Sequence, residues 1–427
     1  MVALVLICAV PMLVLAWLRY RLHFPAGDEP HYLIISEALA RYHSLDVQRV
    51  YDNRGYAAFF PGPIEPHTAP GPSGRPLPLH SIGAPVLWLI PFLLWGRAGV
   101  LAFMVVVSSL IVANVYWFSR QLGVGRSTAF LVGLGLGLGS PVLTYSSLSF
   151  VEPIGALGCI YALRLLHTPR LRTRDLVVVS TVLGVLPWVH SRFLLFPPVF
   201  LGLLLLRLHR EEGWTRRAAF AVGPAVALFL GLELYHLAVW RTLGLAPNQT
   251  SAGAVPFQLD PVPALAGIAF DHGAGFVPNF PIFLLVLPGV LFAAVQGRRP
   301  LHLHVAAAVV PYTLIVCSFP AWPGAWSPPA RFMAVVLPML AGHIAIALHR
   351  ARRVVVVGFG IAVIYAAALT TAAVFTPDGG FSAQSGDGPV AIWIVVTIGV
   401  GVAVWLSGRR RTAQIAPPPT PRGTMSV

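Results

Sequence analysis

The chain has 427 residues, of which 56% are hydrophobic and 10% are charged, and its formal charge is +14. Soluble domains carry roughly 25% charged residues, and a soluble fold of this length cannot bury so much apolar surface in its core. The composition therefore excludes a cytosolic enzyme, a secreted disulfide-rich scaffold and a disordered chain.

The apolar residues form long uninterrupted runs, which predict an all-α polytopic membrane protein with about twelve transmembrane helices. The predicted spans are 1–18, 99–119, 127–145, 151–166, 176–190, 194–208, 218–240, 282–297, 301–319, 330–348, 354–375 and 389–407. The first run lacks the basic segment of a signal peptide, so we expect it to be a retained helix. A further apolar stretch, 82–96, contains two prolines and is either a span or a re-entrant helix.

Arginine, which provides every fixed positive charge of this lysine-free chain, decides the topology. With the N-terminus inside and 82–96 not crossing, 19 of the 29 arginines lie on the inner side, although the outer loops are longer. If 82–96 crossed, every later loop would invert and the positive-inside rule would fail. We therefore expect cytoplasmic termini and a plasma-membrane location. Arginines in short loops on the inner side set the membrane topology, and this role accounts for the basic charge. We therefore expect no nucleic-acid partner.

The predicted domain organisation is a single transmembrane domain, 1–408, followed by a disordered cytoplasmic tail, 409–427, that contains four prolines. Two outer segments are long, 19–98 and 241–281. The inner loops are short and basic, and they contain neither a phosphate-binding loop nor a dinucleotide-binding motif. Any chemistry is therefore expected on the outer face.

The first outer loop opens with Gly27-Asp28-Glu29-Pro30, and Pro30 suits the first turn of a helix. The pattern predicts an amphipathic helix over Tyr32–Tyr42 whose apolar face lies on the bilayer. Asp28 and Glu29 would then sit at the positive end of that helix, where ionised carboxylates are stabilised. A simple N-cap is the alternative, but two adjacent acids in a chain with 15 acidic residues favour a functional role.

Further polar groups gather at the outer ends of spans, where ionisable residues are costly and usually face a cavity or a partner. The candidates are Tyr32, His80, Glu152, His190, Arg192, Asp271, His272 and Arg331. For Arg192 and Arg331 the alternative is snorkelling to lipid headgroups. Glu233 and His236, inside the seventh span, fit either a local hydrogen-bonded pair or a proton or ion site.

In this order and on one membrane face, the motifs resemble those of C-type membrane glycosyltransferases that use polyprenyl-phosphate sugars. That group includes the protein O-mannosyltransferases and the lipid A aminoarabinose transferases, and the resemblance is closest to a bacterial branch of it. The Asp28-Glu29 pair is similar to the family's acidic motif in the first extracytoplasmic loop. The other resembling segments are Tyr51–Arg54, His80–Pro85, Glu152–Pro153, Pro187–Phe193, Asp271–Phe276 and Pro328–Phe332.

The resemblance implies that Asp28, with Glu29, is the catalytic carboxylate and that the donor is a lipid-linked sugar on the outer face. The acceptor would be a hydroxyl of a cell-envelope glycan, lipid or protein. Arginine suits a leaving phosphate because its charge is permanent and its donors form a fork, so Arg331 and Arg192, with His190, are expected to bind it.

Tyr32, His80, Glu152, Asp271 and His272 are candidates for substrate contact. A divalent cation such as Mg²⁺ or Mn²⁺ on Asp28, Glu29 and Glu152 is a further hypothesis, although no spacing demonstrates it.

Two other functions remain open on the sequence. A transporter or lipid flippase would use Glu152, Glu233 and His236 as an intramembrane coupling site. Against this, the chain contains no second copy of any segment, and its outer loops are longer than a transporter needs. If the protein were a non-catalytic assembly factor, the acidic motif would have no catalytic role.

The arginine distribution predicts that residue 70 lies outside the cell. We expect a cysteine introduced by Pro70→Cys to react with a membrane-impermeant reagent in intact cells. The three native cysteines lie within apolar runs and give the background signal. Labelling that requires lysis would contradict the topology.

Overall fold

The computed structural model describes residues 1–72, 74–244, 247–248, 261–381 and 390–414, except for the side chains of 409–414. The middle of the predicted loop 241–281 and the tail beyond residue 414 lie outside the described residues. The first half of the chain contains α1 (Val2–Leu22), α2 (Glu29–Tyr42), α3 (Val47–Asp52), α4 (Gly83–Leu87), α5 (Leu89–Gln121), α6 (Arg126–Leu138), α7 (Pro141–Tyr145), α8 (Glu152–Leu166) and α9 (Thr173–Val189).

The second half is also helical. It contains α10 (Phe196–Leu208), α11 (Trp214–Trp240), α12 (Val262–Phe270), α13 (Phe276–Asn279), α14 (Val286–Val295), α15 (Arg299–Cys317), α16 (Ala341–Arg350), α17 (Arg353–Ala373) and α18 (Val390–Gln414). Five short 3₁₀ segments join these helices, at Gly55–Ala58, Ser191–Leu195, Pro281–Leu285, Phe332–Val335 and Leu337–Leu340. The strands of the described chain are β1 (Thr68–Pro70) and β2 (Pro76–Pro78), which form an antiparallel hairpin.

Within the described residues, seven helices are long and apolar enough to cross a membrane. They are Val2–Leu22, Leu89–Gln121, Ser191–Leu208, Trp214–Trp240, Arg299–Cys317, Arg353–Ala373 and Val390–Gly408. Arg126–Leu138 and Pro281–Val295 are shorter apolar helices. The predicted all-α polytopic membrane class is confirmed, whereas the number of twelve spans stays a prediction.

The centre of the bundle is α8, which packs against α5, α9 and α10. Nearly all of its residues are buried, and small residues allow this close packing. A Cβ atom added at Gly155 would lie 2.8 Å from the ring of Phe193, and one added at Gly158 would lie 3.0 Å from Leu186. Helix α8 begins at Glu152, so a buried carboxylate lies at one end of the bundle. The topology prediction places that end on the outer side of the membrane.

Helix α2 forms where the sequence predicts a helix, but its environment differs from the prediction. Tyr32, Leu33, Ile34, Ile35 and Ala38 are at most 2% exposed, because α2 packs against α3, α4 and α5. Its apolar face therefore contacts protein, and the expectation that this face lies on the bilayer is corrected.

The stretch 82–96 forms α4 and the first part of α5, which breaks at Trp95–Gly96. Gly96 has a φ of 56° and a ψ of −138°, a conformation that glycine adopts far more readily than other residues. Beyond it the chain doubles back closely, since a Cβ at Gly99 would lie 1.9 Å from the carbonyl oxygen of Pro91. This apolar stretch is thus set apart from the long helix that follows it, and its position outside the membrane core stays a prediction.

Candidate functional site

The predicted acid Asp28 is positioned by the glycine before it. Gly27 has a φ of +57°, and a Cβ there would lie 2.3 Å from the carbonyl oxygen of Trp326, so only glycine fits. Asp28 precedes α2, yet its side chain makes no capping hydrogen bond to that helix. Its Oδ2 instead accepts a hydrogen bond from Nη2 of Arg331. The N-cap alternative for Asp28 is therefore excluded by the geometry.

Arg331 lies in a segment held by two backbone contacts. The Tyr145 hydroxyl donates to the carbonyl of Pro328 at 2.7 Å, and the amide of Ala330 donates to Ala274 at 2.9 Å. The guanidinium is 6% exposed, and its central carbon lies 4.5 Å from the ring centroid of Phe150. This burial excludes the snorkelling alternative for Arg331.

Glu152 joins the two predicted arginines. Its Oε1 accepts from Nη2 of Arg192 at 2.5 Å and from Nε of Arg331 at 3.1 Å, and the side chain is fully buried. Asp28, Arg331, Glu152 and Arg192 therefore form a chain of alternating charges, which we call the charge chain. Two acids and two arginines balance, as buried charges require.

The donors of the two arginines are used to different degrees. Each nitrogen of Arg331 donates within the protein, since Nη1 also binds the carbonyl of Gly324 at 3.0 Å. Arg192 is 14% exposed, and its Nε has no hydrogen-bond partner in the described structure. The Arg192 amide donates to Nδ1 of His190 at 3.2 Å, which places the third predicted phosphate ligand beside it. Arg192 thus keeps more free donor capacity than Arg331.

Glu29 lies outside the charge chain, although the sequence pairs it with Asp28. Its Oε1 accepts from the amide and hydroxyl of Ser149, at 2.8 and 3.0 Å, and its Oε2 accepts from the amide of Ala26 at 3.2 Å. The side chain is 1% exposed. Glu29 therefore ties the start of α2 to the turn before α8, and in this way it fixes the position of its neighbour Asp28.

Three histidines lie beside Asp28. The rings of His31 and His67 stack with centroids 3.5 Å apart, and Nδ1 of His67 lies 3.2 Å from Nε2 of His80. The ring of Tyr32 packs 4.8 Å from that of His80. Tyr32 and His80, two of the residues predicted to contact the substrate, thus lie beside the charge chain. His67 is not among the candidates that the sequence motifs indicate, and its only local signal is its place beside a proline-rich turn.

Electrostatics at this cluster favour an ionised acid and neutral imidazoles. Burial raises the pKa of Asp28, but the charge of Arg331, the nearby His80 and the hydrogen bond from Arg331 outweigh it and hold that pKa well below its usual range. Burial lowers the pKa of His31 to about 3 and that of His80 to about 4, although Asp28 opposes both shifts. At neutral pH the carboxylate is charged and these two rings are not.

The remaining predicted residues have other surroundings. Oδ1 of Asp271 accepts from the amides of Gly273 and Ala274, both at 2.8 Å, so it shapes the loop that supports Ala330. The neighbouring His272 is exposed. In α11, Oε2 of Glu233 accepts from the amide of Gly244 at 3.0 Å, and Oε1 lies 3.7 Å from Nδ1 of His236. Glu233 thus binds the backbone just after the end of α11, whereas Glu152 belongs to the charge chain. The structure therefore does not favour an intramembrane coupling site made of Glu152, Glu233 and His236.

Candidate metal ligands converge at a different place from the one hypothesised. Both oxygens of Glu29 and Oε1 of Glu152 accept the hydrogen bonds described above, whereas Oε2 of Glu152 has no hydrogen-bond partner in the described structure. Across the part of the chain that the structure describes, the group that brings three ligand atoms within 4.8 Å of one another is Asp28, His67 and His80.

The fold is similar to that of ArnT from Cupriavidus metallidurans. The crystal structure bound to undecaprenyl phosphate aligns with a TM-score of 0.58 and 14% identity, over 96% of this chain and 71% of that chain. The apo structure aligns with a TM-score of 0.52 and 15% identity, over 95% of this chain and 72% of that chain. The oligosaccharyltransferase of Archaeoglobus fulgidus in its apo form reaches a TM-score of 0.46 at 12% identity, over 96% and 56% of the two chains, which is too low to establish a common fold.

No protein-family model and no curated protein matches the sequence. The likeness to ArnT is a likeness of the fold, and at that level it agrees with the resemblance that the sequence motifs predict.

The charge chain predicts a large difference between two glutamate substitutions. We expect Glu152→Gln to destabilise the protein by about 3–5 kcal/mol, because it leaves two buried arginines facing one carboxylate. Glu37→Gln is the matched control, since Glu37 pairs with Arg41, whose side chain is 57% exposed, and should cost at most about 1 kcal/mol. Thermal unfolding of purified protein in detergent measures both. Equal stability of the two variants would show that the charge chain does not hold the start of α8.

Proposed function

We propose that this membrane protein transfers a sugar from a polyprenyl-phosphate donor to an acceptor hydroxyl on the outer face of the membrane. The observation that carries the proposal is the charge chain, in which Asp28 at the start of α2 pairs with the buried Arg331, and Glu152 links Arg331 to Arg192. The fold shared with ArnT, one structure of which holds undecaprenyl phosphate, supports the class of donor. The acceptor is expected to be a cell-envelope glycan, lipid or protein.

The reaction is a direct displacement that inverts the anomeric carbon. The acceptor oxygen forms a bond to that carbon while the bond from the carbon to the phosphate oxygen breaks. The hydroxyl proton passes to Asp28, and polyprenyl phosphate leaves with the electron pair. A carboxylate base and a cationic site for the leaving phosphate are the two requirements of this step, and the charge chain contains both. No nucleotide is consumed.

Arg331 links donor binding to the availability of the base. In the described structure it donates to Oδ2 of Asp28, and this charged hydrogen bond lowers the basicity of the carboxylate toward the acceptor proton. A phosphate next to Arg331 and Arg192 would compete with Asp28 and Glu152 for their N–H donors. When Arg331 turns to the phosphate, Oδ2 becomes free. Asp28 would thus become a stronger base when the donor is bound, which limits idle hydrolysis of the donor.

The other predicted residues have supporting parts in this mechanism. Arg192, with its spare donor and partial exposure, would make the first contact to the phosphate, and His190 lies beside it. Glu152 would hold the side chains of Arg331 and Arg192 in position. Tyr32 and His80 border Asp28 and would contact the sugar or the acceptor. Glu29 would act by positioning Asp28 rather than by taking the proton.

We expect Asp28→Asn to reduce the transfer rate by about 10²–10⁴-fold, the usual effect of removing a general base. Donor affinity should be maintained, because the substitution also removes a competitor for Arg331. The measurement is sugar transfer from a radiolabelled polyprenyl-phosphate sugar to a membrane extract, together with donor affinity in detergent.

Two variants serve as controls for that assay. Asp46→Asn alters an exposed capping acid in the same outer segment, whose Oδ1 accepts from the amide of Arg49, and should leave the rate unchanged. Glu29→Gln should lower stability more than chemistry. Normal turnover in Asp28→Asn together with a dead Glu29→Gln would mean that the other carboxylate is the base. Full activity in both would overturn the mechanism.

Arg331→Lys keeps the positive charge but loses the planar fork that reaches Asp28, Glu152 and a phosphate together. We expect the donor KM to rise by about 10–100-fold, the equivalent of one or two hydrogen bonds to a charged group. Arg41→Lys, at an exposed site, is the control. An unchanged donor KM in the Arg331 variant would restrict this residue to a structural role.

A further inference from the structure

Two buried arginines lie outside the charge chain, where the end of α1 meets the second part of α5. Arg19 belongs to the last turn of α1 and is 1% exposed, and Arg97 follows the break in α5 and is 6% exposed. The two guanidinium charges are close enough to repel each other. We call these residues the arginine pair, and the mechanism proposed above does not use them.

Each guanidinium group spends only part of its hydrogen-bonding capacity on the protein. Nη1 of Arg19 donates to the carbonyl of Gly379 at 2.8 Å, and Nη1 of Arg97 donates to the carbonyl of His23 at 2.6 Å. Nε and Nη2 of Arg19 and Nε of Arg97 are buried and have no hydrogen-bond partner in the described structure. Buried charged donors without an acceptor are unfavourable, so the arginine pair lacks a partner.

The charges around the arginine pair do not balance. Within the described residues, the carboxylate whose charge acts on both arginines is that of Glu29. Its two oxygens already accept hydrogen bonds from Ser149 and from the amide of Ala26. The exposed Asp378 bonds within its own turn. Two arginines and one carboxylate leave an excess of one positive charge, so the missing acceptor is expected to be an anion.

The surface beside the arginine pair is apolar, aromatic and exposed. Tyr20 and Phe24 lie at the end of α1, and Leu94 and Trp95 come just before the break in α5; all four side chains are exposed. Helix α1 is long and apolar enough to cross a membrane, and exposed aromatic residues at the end of such a helix are typical of the lipid headgroup level. The topology prediction places this end on the outer side.

We propose that the arginine pair binds the phosphodiester group of an anionic phospholipid, such as phosphatidylglycerol, whose acyl chains lie along the exposed surface of α1 and α5. Guanidinium groups bind phosphate oxygens through paired N–H donors, and basic sites between membrane helices bind acidic headgroups. A phosphodiester carries one negative charge, which matches the excess. A polyprenyl phosphate is a monoester that carries up to two, and it matches less well.

A side chain at the lipid surface controls access to the arginine pair. The ring of Tyr20 lies over Arg97, with the central guanidinium carbon 6.0 Å from the ring centroid. Because Tyr20 is exposed, its ring can move aside by a change of rotamer, which is a fast and local motion. The headgroup would then reach the free donors.

A bound lipid would join three segments that already meet at the arginine pair. They are α1, the second part of α5, and the turn that contains Gly379. The lipid would stabilise the end of the protein where Glu29 positions Asp28. This inference goes beyond sugar transfer and does not depend on it.

Phosphatidylglycerol itself is the probe that tests this site. Delipidated full-length protein in detergent is titrated with phosphatidylglycerol or with phosphatidylethanolamine, and retained lipid is counted by native mass spectrometry. We expect one phosphatidylglycerol per chain to be retained preferentially, and to raise the unfolding temperature, because a ligand that binds the folded state stabilises it. Inorganic phosphate at the same concentration should give no shift. Equal retention of the two lipids, or an equal shift with inorganic phosphate, overturns the proposal.

Matched variants assign the lipid to the arginine pair. Arg19→Gln and Arg97→Gln should each weaken phosphatidylglycerol binding by about tenfold or more, the effect of losing a hydrogen bond to a charged group, and should reduce the thermal shift accordingly. Arg21→Gln is the control, since Arg21 is an exposed arginine of the same helix turn, and it should retain both. Equal loss in the control would indicate unspecific charge attraction and overturn the proposal.

Two further measurements separate this site from the donor site. A thermal shift with polyprenyl phosphate that Arg97→Gln abolishes would assign the arginine pair to the donor and overturn the proposal. If the glutamine variants fail to fold, Arg97→Lys decides, because it keeps the charge and loses the fork; lipid affinity equal to that of the wild type then counts against the site. A protein that binds the lipid but transfers no sugar leaves this proposal intact and refutes the proposed function.

Discussion

The structure depends above all on the mutual compensation of four charges, of which Glu152 and Arg331 are buried and Asp28 and Arg192 are half-buried. Asp28, Arg331, Glu152 and Arg192 come from the start of α2, the segment before the 3₁₀ turns near residue 335, the start of α8 and the turn after α9. A buried charge without its partner is strongly unfavourable. Each of these four elements is therefore constrained by the one or two elements that its charge contacts, and the charge chain links all four in series.

In the proposed mechanism, the same compensation stabilises the site in the absence of substrate. The charge of Arg331 keeps Asp28 ionised, but it also lowers the basicity of that carboxylate. Binding of an anionic ligand is the simplest event that could redistribute these ion pairs, because it competes for the same N–H donors. Stability without substrate and reactivity with substrate are thus compatible in one arrangement of residues.

The first outer loop supplies most of the groups around Asp28. Helix α2 is covered by α3 to α5, and the hairpin brings His67 and His80 close to Asp28. Glu29 and Ser149 join this loop to the turn before α8 through hydrogen bonds that link positions 120 residues apart. The loop is therefore part of the packed protein, and this packing gives Asp28 fixed neighbours.

The sequence by itself determined the membrane class, the helical fold and the position of α2, and it singled out Asp28 as a candidate, since hydropathy, proline placement and charge are local properties of the chain. It also named Arg331, Glu152 and Arg192 individually. Only the tertiary structure decided that these residues form one charge chain, because Asp28 and Arg331 are 303 positions apart and Glu152 and Arg331 are 179 apart. It also decided that the apolar face of α2 meets protein, that Glu29 binds Ser149, and that His67 joins His80. Contacts of this kind are set by how helices pack in three dimensions, and no local pattern in the sequence records them.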